Sequence, residues 1–149
     1  MTKGELAKKL FEDGYNCAQA VLLAFCEDFG MDKETAMMIS APFGGGMGRL
    51  REVCGTVSGM NMVLGLAKKG YQKGDNASKA QLYKDVQTLA ERFREDNGSI
   101  ICRELLNLRI EGKDNHVPEL RTEKYYKARP CSELCRYAAD LLEKYLELN

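Results

Sequence analysis

The segment from Pro42 to Lys69 constrains this chain more than any other part of it. It opens with three consecutive glycines at positions 44 to 46 and a fourth at position 48, and it then reaches Cys54 at the head of an apolar run. Glycines at this density destabilise the interior of a helix or strand, because the glycine backbone loses the most freedom on folding. The segment therefore predicts a tight loop that delivers the Cys54 thiol to the start of a helix.

A cysteine at the start of a helix lies beside unpaired backbone N–H groups and the positive end of the helix dipole. Both favour thiolate over thiol, so we expect a lowered pKa for Cys54. The next two glycines, Gly55 and Gly59, are four residues apart and predict a bare helix face that a partner helix, a second sulfur or a bound group can approach closely. Ordinary helix packing is an equal alternative. The glycines predicted to lie against a bound group are Gly44, Gly45, Gly46, Gly55 and Gly59.

Apolar residues recur at helical spacing along most of the chain, and no run alternates as a strand would. We predict an all-α fold, a compact single-domain bundle of about six to seven helices over residues 1–149, with the glycine-rich loop before the central helix. Asn16, Asp32 and Ser99 are the predicted N-caps of three of these helices, and Pro130 is predicted to open the last. Residues 107–129 predict a long polar loop that has room for one short helical turn.

Charge and hydropathy exclude several classes of partner. Lys plus Arg and Asp plus Glu number 22 each, so no net field favours nucleic acid or an anionic membrane. No run approaches the roughly 18 apolar residues of a membrane span, which predicts a cytoplasmic protein. The single histidine, His116, excludes a two-histidine metal site. The apolar content of residues 53–67 gives a weak prediction of a homodimer.

Two arginines, Arg49 and Arg51, follow the glycine loop. They can hold an anion or lower the pKa of Cys54, or they can be two solvated surface charges. The sequence favours solvated surface charges.

Four of the six cysteines are each predicted at the first turn of a different helix. They follow an asparagine, a glycine-rich loop, a serine and a proline, and they are Cys17, Cys54, Cys102 and Cys131. If these helix starts converge, four thiols of lowered pKa would suit a metal, an iron-sulfur cluster or thiol-disulfide exchange. Their spacing contains no CxxC pair, so it predicts neither a thioredoxin-type motif nor a paired-knuckle zinc site.

The sequence gives the other two cysteines less support as members of a functional site. Cys26 lies nine residues after Cys17, which is half a turn out of phase and about 13 Å further along a helix, so we predict a core thiol. Cys135 lies one turn after Cys131. It is either a resolving thiol, a spare ligand or core filler.

These segments together resemble the C_GCAxxG_C_C family of redox-active proteins from bacteria and archaea. The match is carried by NCAQAVLLAF, FGGGMGR, CGTVSG, SIICRELL and RPCSEL. The resemblance implies that Cys17, Cys54, Cys102 and Cys131 are the family thiols and that Gly55 and Gly59 are the motif glycines, with Thr56 where the family name has alanine. A related domain occurs in multihaem proteins with iron-sulfur centres, but this chain has no CxxCH, so covalent haem is unsupported.

Three functional hypotheses follow. In the first, the protein is oxidoreductase-like: the four thiols cycle between dithiol and disulfide with an unknown redox partner, Cys54 being the nucleophile and one of the other three resolving. In the second, the same four thiolates hold an iron-sulfur cluster or another soft metal. In the third, the chain is a non-catalytic helical interaction protein that packs through Met37, Met38, Met47, Met60 and Met62.

Overall fold

The computed structural model describes residues 1–148, with side chains to residue 147, so the predicted domain end at Asn149 lies outside the described residues. Its helices are α1 (Lys3–Glu12), α2 (Cys17–Phe25), α3 (Lys33–Ser40), α4 (Gly44–Met47), α5 (Gly55–Ala67), α6 (Asn76–Asn97), α7 (Cys102–Leu105), α8 (Glu123–Ala128) and α9 (Cys131–Leu148). Short 3-10 turns occupy Cys26–Phe29 and Ala41–Phe43. The all-α prediction is confirmed over residues 1–148; α4 falls within the predicted glycine loop, and its backbone is left-handed at Gly45 and Gly46.

The first helices begin where their polar caps predict. The Asn16 side chain accepts a hydrogen bond from the Gln19 N–H, and Gln19 accepts one from the Asn16 N–H in return. Asp32 accepts from the Thr35 N–H at the start of α3. Such caps satisfy N–H groups that have no partner within the helix, and they fix where the helix starts. Cys17 is consequently held at the first position of α2.

Helices α2 and α5 pack together at the centre of the fold. Every residue of α2 except Gln19 is buried, which fits a helix that is apolar on nearly all sides and contacts α1, α3, α5 and α9. A Cβ added to Gly59 of α5 would lie 2.8 Å from Val21 Cβ and 3.0 Å from the Ala18 carbonyl oxygen. The predicted bare face of α5 is therefore present, and α2 occupies it.

The segment after Ser99 differs from its prediction. Helix α7 begins at Cys102, and Ser99 accepts a hydrogen bond from the Ile101 N–H instead of capping a helix from residue 100. The reason is an antiparallel bridge between Val53 and Ile101, which holds Ile101 extended. On either side of the bridge, the Cys54 N–H donates to Ile100 O (2.8 Å) and the Cys102 N–H donates to Glu52 O (2.6 Å). This pairing brings two of the cysteine-bearing segments side by side.

The polar stretch over residues 107–129 contains one short helix, α8, as the sequence allows. Arg103 links the first part of this stretch to the segment after the glycine loop. The Arg103 guanidinium donates to the carbonyl oxygens of Ile110 and Gly112 in the stretch and of Leu50 after the loop. Helix α9 begins directly after Pro130, as predicted. Over residues 1–148, none of the helices combines the length and the apolar character that crossing a membrane requires. The homodimer stays a prediction.

Candidate functional site

The four cysteines at helix starts line one small cavity of about 60 Å³. Cys17, Cys102 and Cys131 are the first residues of α2, α7 and α9, and Cys54 immediately precedes α5. The convergence that the sequence leaves open is therefore present. All six cysteines of the chain are free thiols in the structure.

The glycine loop forms one wall of this cavity. Gly45 and Gly46 have φ of 65° and 68°, left-handed values that residues other than glycine rarely adopt. Burial raises the pKa of Cys17, and the backbone of Gly45 opposes part of that rise. A Cβ added to Gly46 would lie 2.7 Å from Cys102 Cβ, and one added to Gly44 would lie 2.7 Å from the Asn16 side chain. The loop therefore wraps the first residues of α2 and α7.

The motif glycine Gly55 lies directly against Cys17. A Cβ at position 55 would be 2.8 Å from Cys17 Sγ and 3.0 Å from Phe43 O. Because Cys54 is the preceding residue, this close approach also places the Cys54 backbone beside Cys17. Of the predicted glycines, Gly44, Gly45, Gly46 and Gly55 border the thiols or their helix starts, whereas Gly59 packs deeper against Val21.

The expected lowering of thiol pKa values is wrong for three of the four cysteines. Burial, together with the neighbouring Cys17, raises the pKa of Cys54 to about 12, and hydrogen bonds to Thr56 oppose only part of the shift. Burial also raises the pKa of Cys17 and of Cys131. The loss of hydration outweighs the helix-start effect on which the prediction rests. These thiols are protonated at neutral pH in the reduced protein.

The raised Cys54 pKa predicts that stability falls in alkaline solution. Its pKa of about 12 in the folded protein exceeds the ordinary thiol value of 9.0, so its contribution to stability is fully present below about pH 9 and is lost as pH rises toward 12. The slope for this one group is at most about 1.4 kcal/mol per pH unit. Urea unfolding of the reduced protein across this pH range measures it. Cys54→Ser should have a shallower slope, and equal slopes in both proteins would contradict the assignment.

Arg51 forms a hydrogen bond with one of the cavity thiols, and the prediction of a solvated surface charge is wrong for it. Only 5% of the residue is exposed. Its Nη1 donates to Cys102 Sγ at 3.6 Å, and its Nε donates to Asp114 Oδ2 at 3.0 Å. Arg49 donates to the same Asp114 oxygen at 3.0 Å. The guanidinium of Arg51 therefore stabilises negative charge on Cys102, not on Cys54.

Cys26 and Cys135 are both fully buried and neither lines the cavity. The Cys26 thiol donates to Leu23 O at 3.7 Å, as expected of a core thiol. Cys135 lies close enough to the cluster that, after burial itself, the charges of Cys17 and Cys54 are the next causes that raise its pKa. These positions are consistent with the sequence analysis, which gives both residues less support as site residues than the four cysteines at helix starts.

Sequence reasoning missed two residues that line the cavity, Arg121 and Tyr125. The Arg121 guanidinium lies 4.1 Å from the Phe11 ring centroid and donates to Phe11 O (3.0 Å) and Tyr15 O (3.1 Å). Tyr125 belongs to α8, whose helix cap at Thr122 is readable in the sequence. The adjacent aromatic pair Tyr125 and Tyr126 in a polar segment is the signal that could have marked this wall.

The cavity has the soft sulfur donors that a thiolate-bound metal requires. Nevertheless, within residues 1–148 no group of three or more His, Cys, Asp or Glu side chains has an arrangement that could hold a metal ion. The donor chemistry fits a metal or cluster, but the arrangement described does not.

Comparison with known proteins agrees with this cysteine pattern. A family model described as "Putative redox-active protein (C_GCAxxG_C_C)" matches residues 15–145, a range that includes all four cavity cysteines and the glycine loop. A search of curated proteins and a search of solved structures each found no similar protein. Since the family match spans most of the chain, this protein belongs to the C_GCAxxG_C_C family.

Proposed function

We propose that the four-thiol cavity is a two-electron redox centre that works by thiol-disulfide exchange. The observation that carries the proposal is the convergence of Cys17, Cys54, Cys102 and Cys131 on one cavity. Thiols held together from separate helices can close a disulfide without unfolding, and their burial protects the reduced form from adventitious oxidation.

The attacking thiol in this proposal is Cys102, because Arg51 donates a hydrogen bond to its sulfur. The Cys102 thiolate attacks one sulfur of an acceptor disulfide, which forms a mixed disulfide and releases one thiolate that takes up a proton. Cys17 then loses its proton and attacks the Cys102 sulfur, which releases the second acceptor thiol. In sum, two protein thiols and one acceptor disulfide give one protein disulfide and two acceptor thiols.

Cys17 is the proposed resolving residue because its sulfur packs directly against Gly55, the residue that follows Cys54. A Cβ added to Gly55 would lie 2.8 Å from the Cys17 sulfur. Negative charge on Cys17 would raise the pKa values of Cys54, Cys131 and Cys135 beyond the effect of burial, and negative charge on Cys102 would raise that of Cys17. Cys54 and Cys131 are the alternative partners within the same cavity.

The test is a reaction of the reduced protein with hydroxyethyl disulfide, followed by mass spectrometry of the whole chain and of its peptides. The proposal predicts the loss of two hydrogens per chain and a disulfide between two of the four cavity cysteines. A chain that keeps all its thiols, or that forms only mixed disulfides, would contradict it.

Replacement of Arg51 by glutamine should slow this reaction by about tenfold, because a charge-assisted hydrogen bond to the attacking sulfur is lost. Arg51→Lys keeps a positive charge and should recover part of the rate. The control is Arg94→Gln, which removes an arginine that pairs with Glu91 on the exposed face of α6. Stopped-flow measurement of the oxidation rate at neutral pH compares the four proteins. An unchanged rate in Arg51→Gln would rule out Cys102 as the thiol that Arg51 activates.

A second candidate function is the binding of a soft metal or an iron-sulfur cluster by the same four cysteines. The observation that favours it is again the convergence of four sulfurs from separate helix starts. No metal-binding arrangement exists among residues 1–148 as described, so we rank it second. Metal and acid-labile sulfide analysis of protein purified without oxygen tests it: stoichiometric iron and sulfide that disappear in Cys54→Ser would establish it, and metal-free protein would exclude it.

A further inference from the structure

A second cavity of about 250 Å³ adjoins the thiol cavity. The residues that line both cavities are Asn16, Gly45, Arg51, Arg121 and Tyr125. The volume is close to the lower end of the roughly 300–1,000 Å³ typical of small-molecule sites. The outer cavity therefore lies where an entrance to the thiols would be, and it has room for part of a small molecule.

Four arginines line this outer cavity: Arg49, Arg51, Arg121 and Arg129. Arg49 and Arg51 share one carboxylate, Asp114, and Arg129 pairs with Glu119. Four guanidinium charges against these two carboxylates leave two positive charges in excess. This excess is local, because the whole chain has no net charge.

Arg121 holds the least compensated of these charges. Its guanidinium donates to the backbone oxygens of Phe11 and Tyr15 and to the Tyr126 hydroxyl, all of which are neutral groups. Among the described residues, no carboxylate forms an ion pair with it. It also lines both cavities, so its positive charge lies where the outer cavity meets the thiols.

We propose that the outer cavity binds the carboxylate of a small disulfide and thereby selects low-molecular-weight anionic disulfides as acceptors for the thiols. Guanidinium groups recognise carboxylates through paired hydrogen bonds, and a partly buried site strengthens the attraction. The inner cavity, at about 60 Å³, accepts little more than the reacting sulfur and its neighbouring carbon. The substrate would thus place its charge among the arginines and its disulfide at Cys102.

This inference rests on the proposed thiol-disulfide function and adds the class of acceptor. The exchange keeps the balance given above: the anionic disulfide takes two electrons and two protons from two protein thiols and leaves as two carboxylate-bearing thiols.

The experiment compares three small disulfides that differ in charge: dithiodiglycolate, which is anionic, hydroxyethyl disulfide, which is neutral, and cystamine, which is cationic. The oxidation rate constant of the reduced protein with each is divided by the rate constant of the same disulfide with mercaptoethanol, which removes differences in intrinsic reactivity. We expect the normalised rate for dithiodiglycolate to exceed that for hydroxyethyl disulfide by about tenfold, with cystamine slowest. Added salt should reduce the preference.

Two variants locate the preference. Arg121→Gln and Arg129→Gln should each lower the ratio of anionic to neutral rates about fivefold, because each removes one guanidinium from the outer cavity. The control, Arg94→Gln, removes the same charge on exposed α6 and should leave the ratio unchanged.

The outcomes separate the two proposals. If none of the three disulfides oxidises the protein, the thiol-disulfide function itself fails. If all three oxidise it at equal normalised rates, the function stands and the anionic substrate class is overturned. A preference that survives in both cavity variants would overturn the arginine site, and the ranking in the unaltered protein tests the proposal even if a variant does not fold.

Discussion

Replacement of Gly55 by alanine is expected to destabilise the protein by about 2 kcal/mol and to slow disulfide exchange. The added methyl group would lie 2.8 Å from Cys17 Sγ, 3.0 Å from Phe43 O and 3.1 Å from the Ala18 backbone nitrogen. Two of these neighbours are backbone atoms, so α2 and α5 must separate to relieve the contact. Overpacking of this kind costs about 1–3 kcal/mol, and the separation also moves Cys17 away from Cys54.

Gly65 provides a matched control on the same helix. A Cβ added there meets no atom within 4 Å. Because alanine is the better helix former, Gly65→Ala should stabilise the protein by about 0.5–1 kcal/mol and leave exchange unchanged. Gly59→Ala should destabilise α5 against Val21 without touching a cavity thiol. Urea unfolding and the rate of oxidation by hydroxyethyl disulfide distinguish the three variants, and a stable, fully reactive Gly55→Ala protein would contradict the packing described.

Replacement of Cys17 by serine is expected to slow formation of the protein disulfide by at least about a hundredfold. Cys17 is the proposed resolving thiol, and an intramolecular partner held in place is far more effective than one supplied from solution. A mixed disulfide at Cys102 should therefore accumulate. Mass spectrometry after reaction with hydroxyethyl disulfide detects this adduct and locates it.

Cys26→Ser is the control for this experiment, because it makes the same chemical change in a fully buried thiol that does not line the cavity. Its stability can change, but its exchange rate should not. If Cys17→Ser closes a disulfide as fast as the unaltered protein, Cys17 does not resolve the mixed disulfide, and Cys54 or Cys131 takes that place.

The sequence predicts the helix starts well because local chemistry determines them. Asn16 and Asp32 cap their helices through hydrogen bonds to residues three positions later, and Pro130 directly precedes α9. The exception is Ser99, whose predicted helix begins only at Cys102 because Ile101 is held extended by a bridge to a segment nearly fifty residues earlier. A contact between distant segments leaves no periodic signal within either of them.

The thiol cavity, unlike the helix starts, could not be predicted from local sequence. The four cysteines could be picked out, since each stands at a helix start, but their convergence depends on packing between helices that no local pattern encodes. The same packing reverses the expected electrostatics: the first-turn position of Cys54 favours thiolate, yet burial raises its pKa to about 12. The role of Arg51 was likewise hidden, because only the fold turns it inward to Cys102.

A redox titration tests most directly whether two of the four cavity thiols form one reversible two-electron couple. The protein is equilibrated without oxygen in thiol-disulfide buffers of graded potential, its remaining thiols are alkylated, and each cysteine is quantified by peptide mass spectrometry. We predict a single reversible two-electron transition in which two of Cys17, Cys54, Cys102 and Cys131 disappear together, while Cys26 stays reduced. Four thiols that remain reduced at every potential, or that oxidise one at a time and independently, would contradict this prediction.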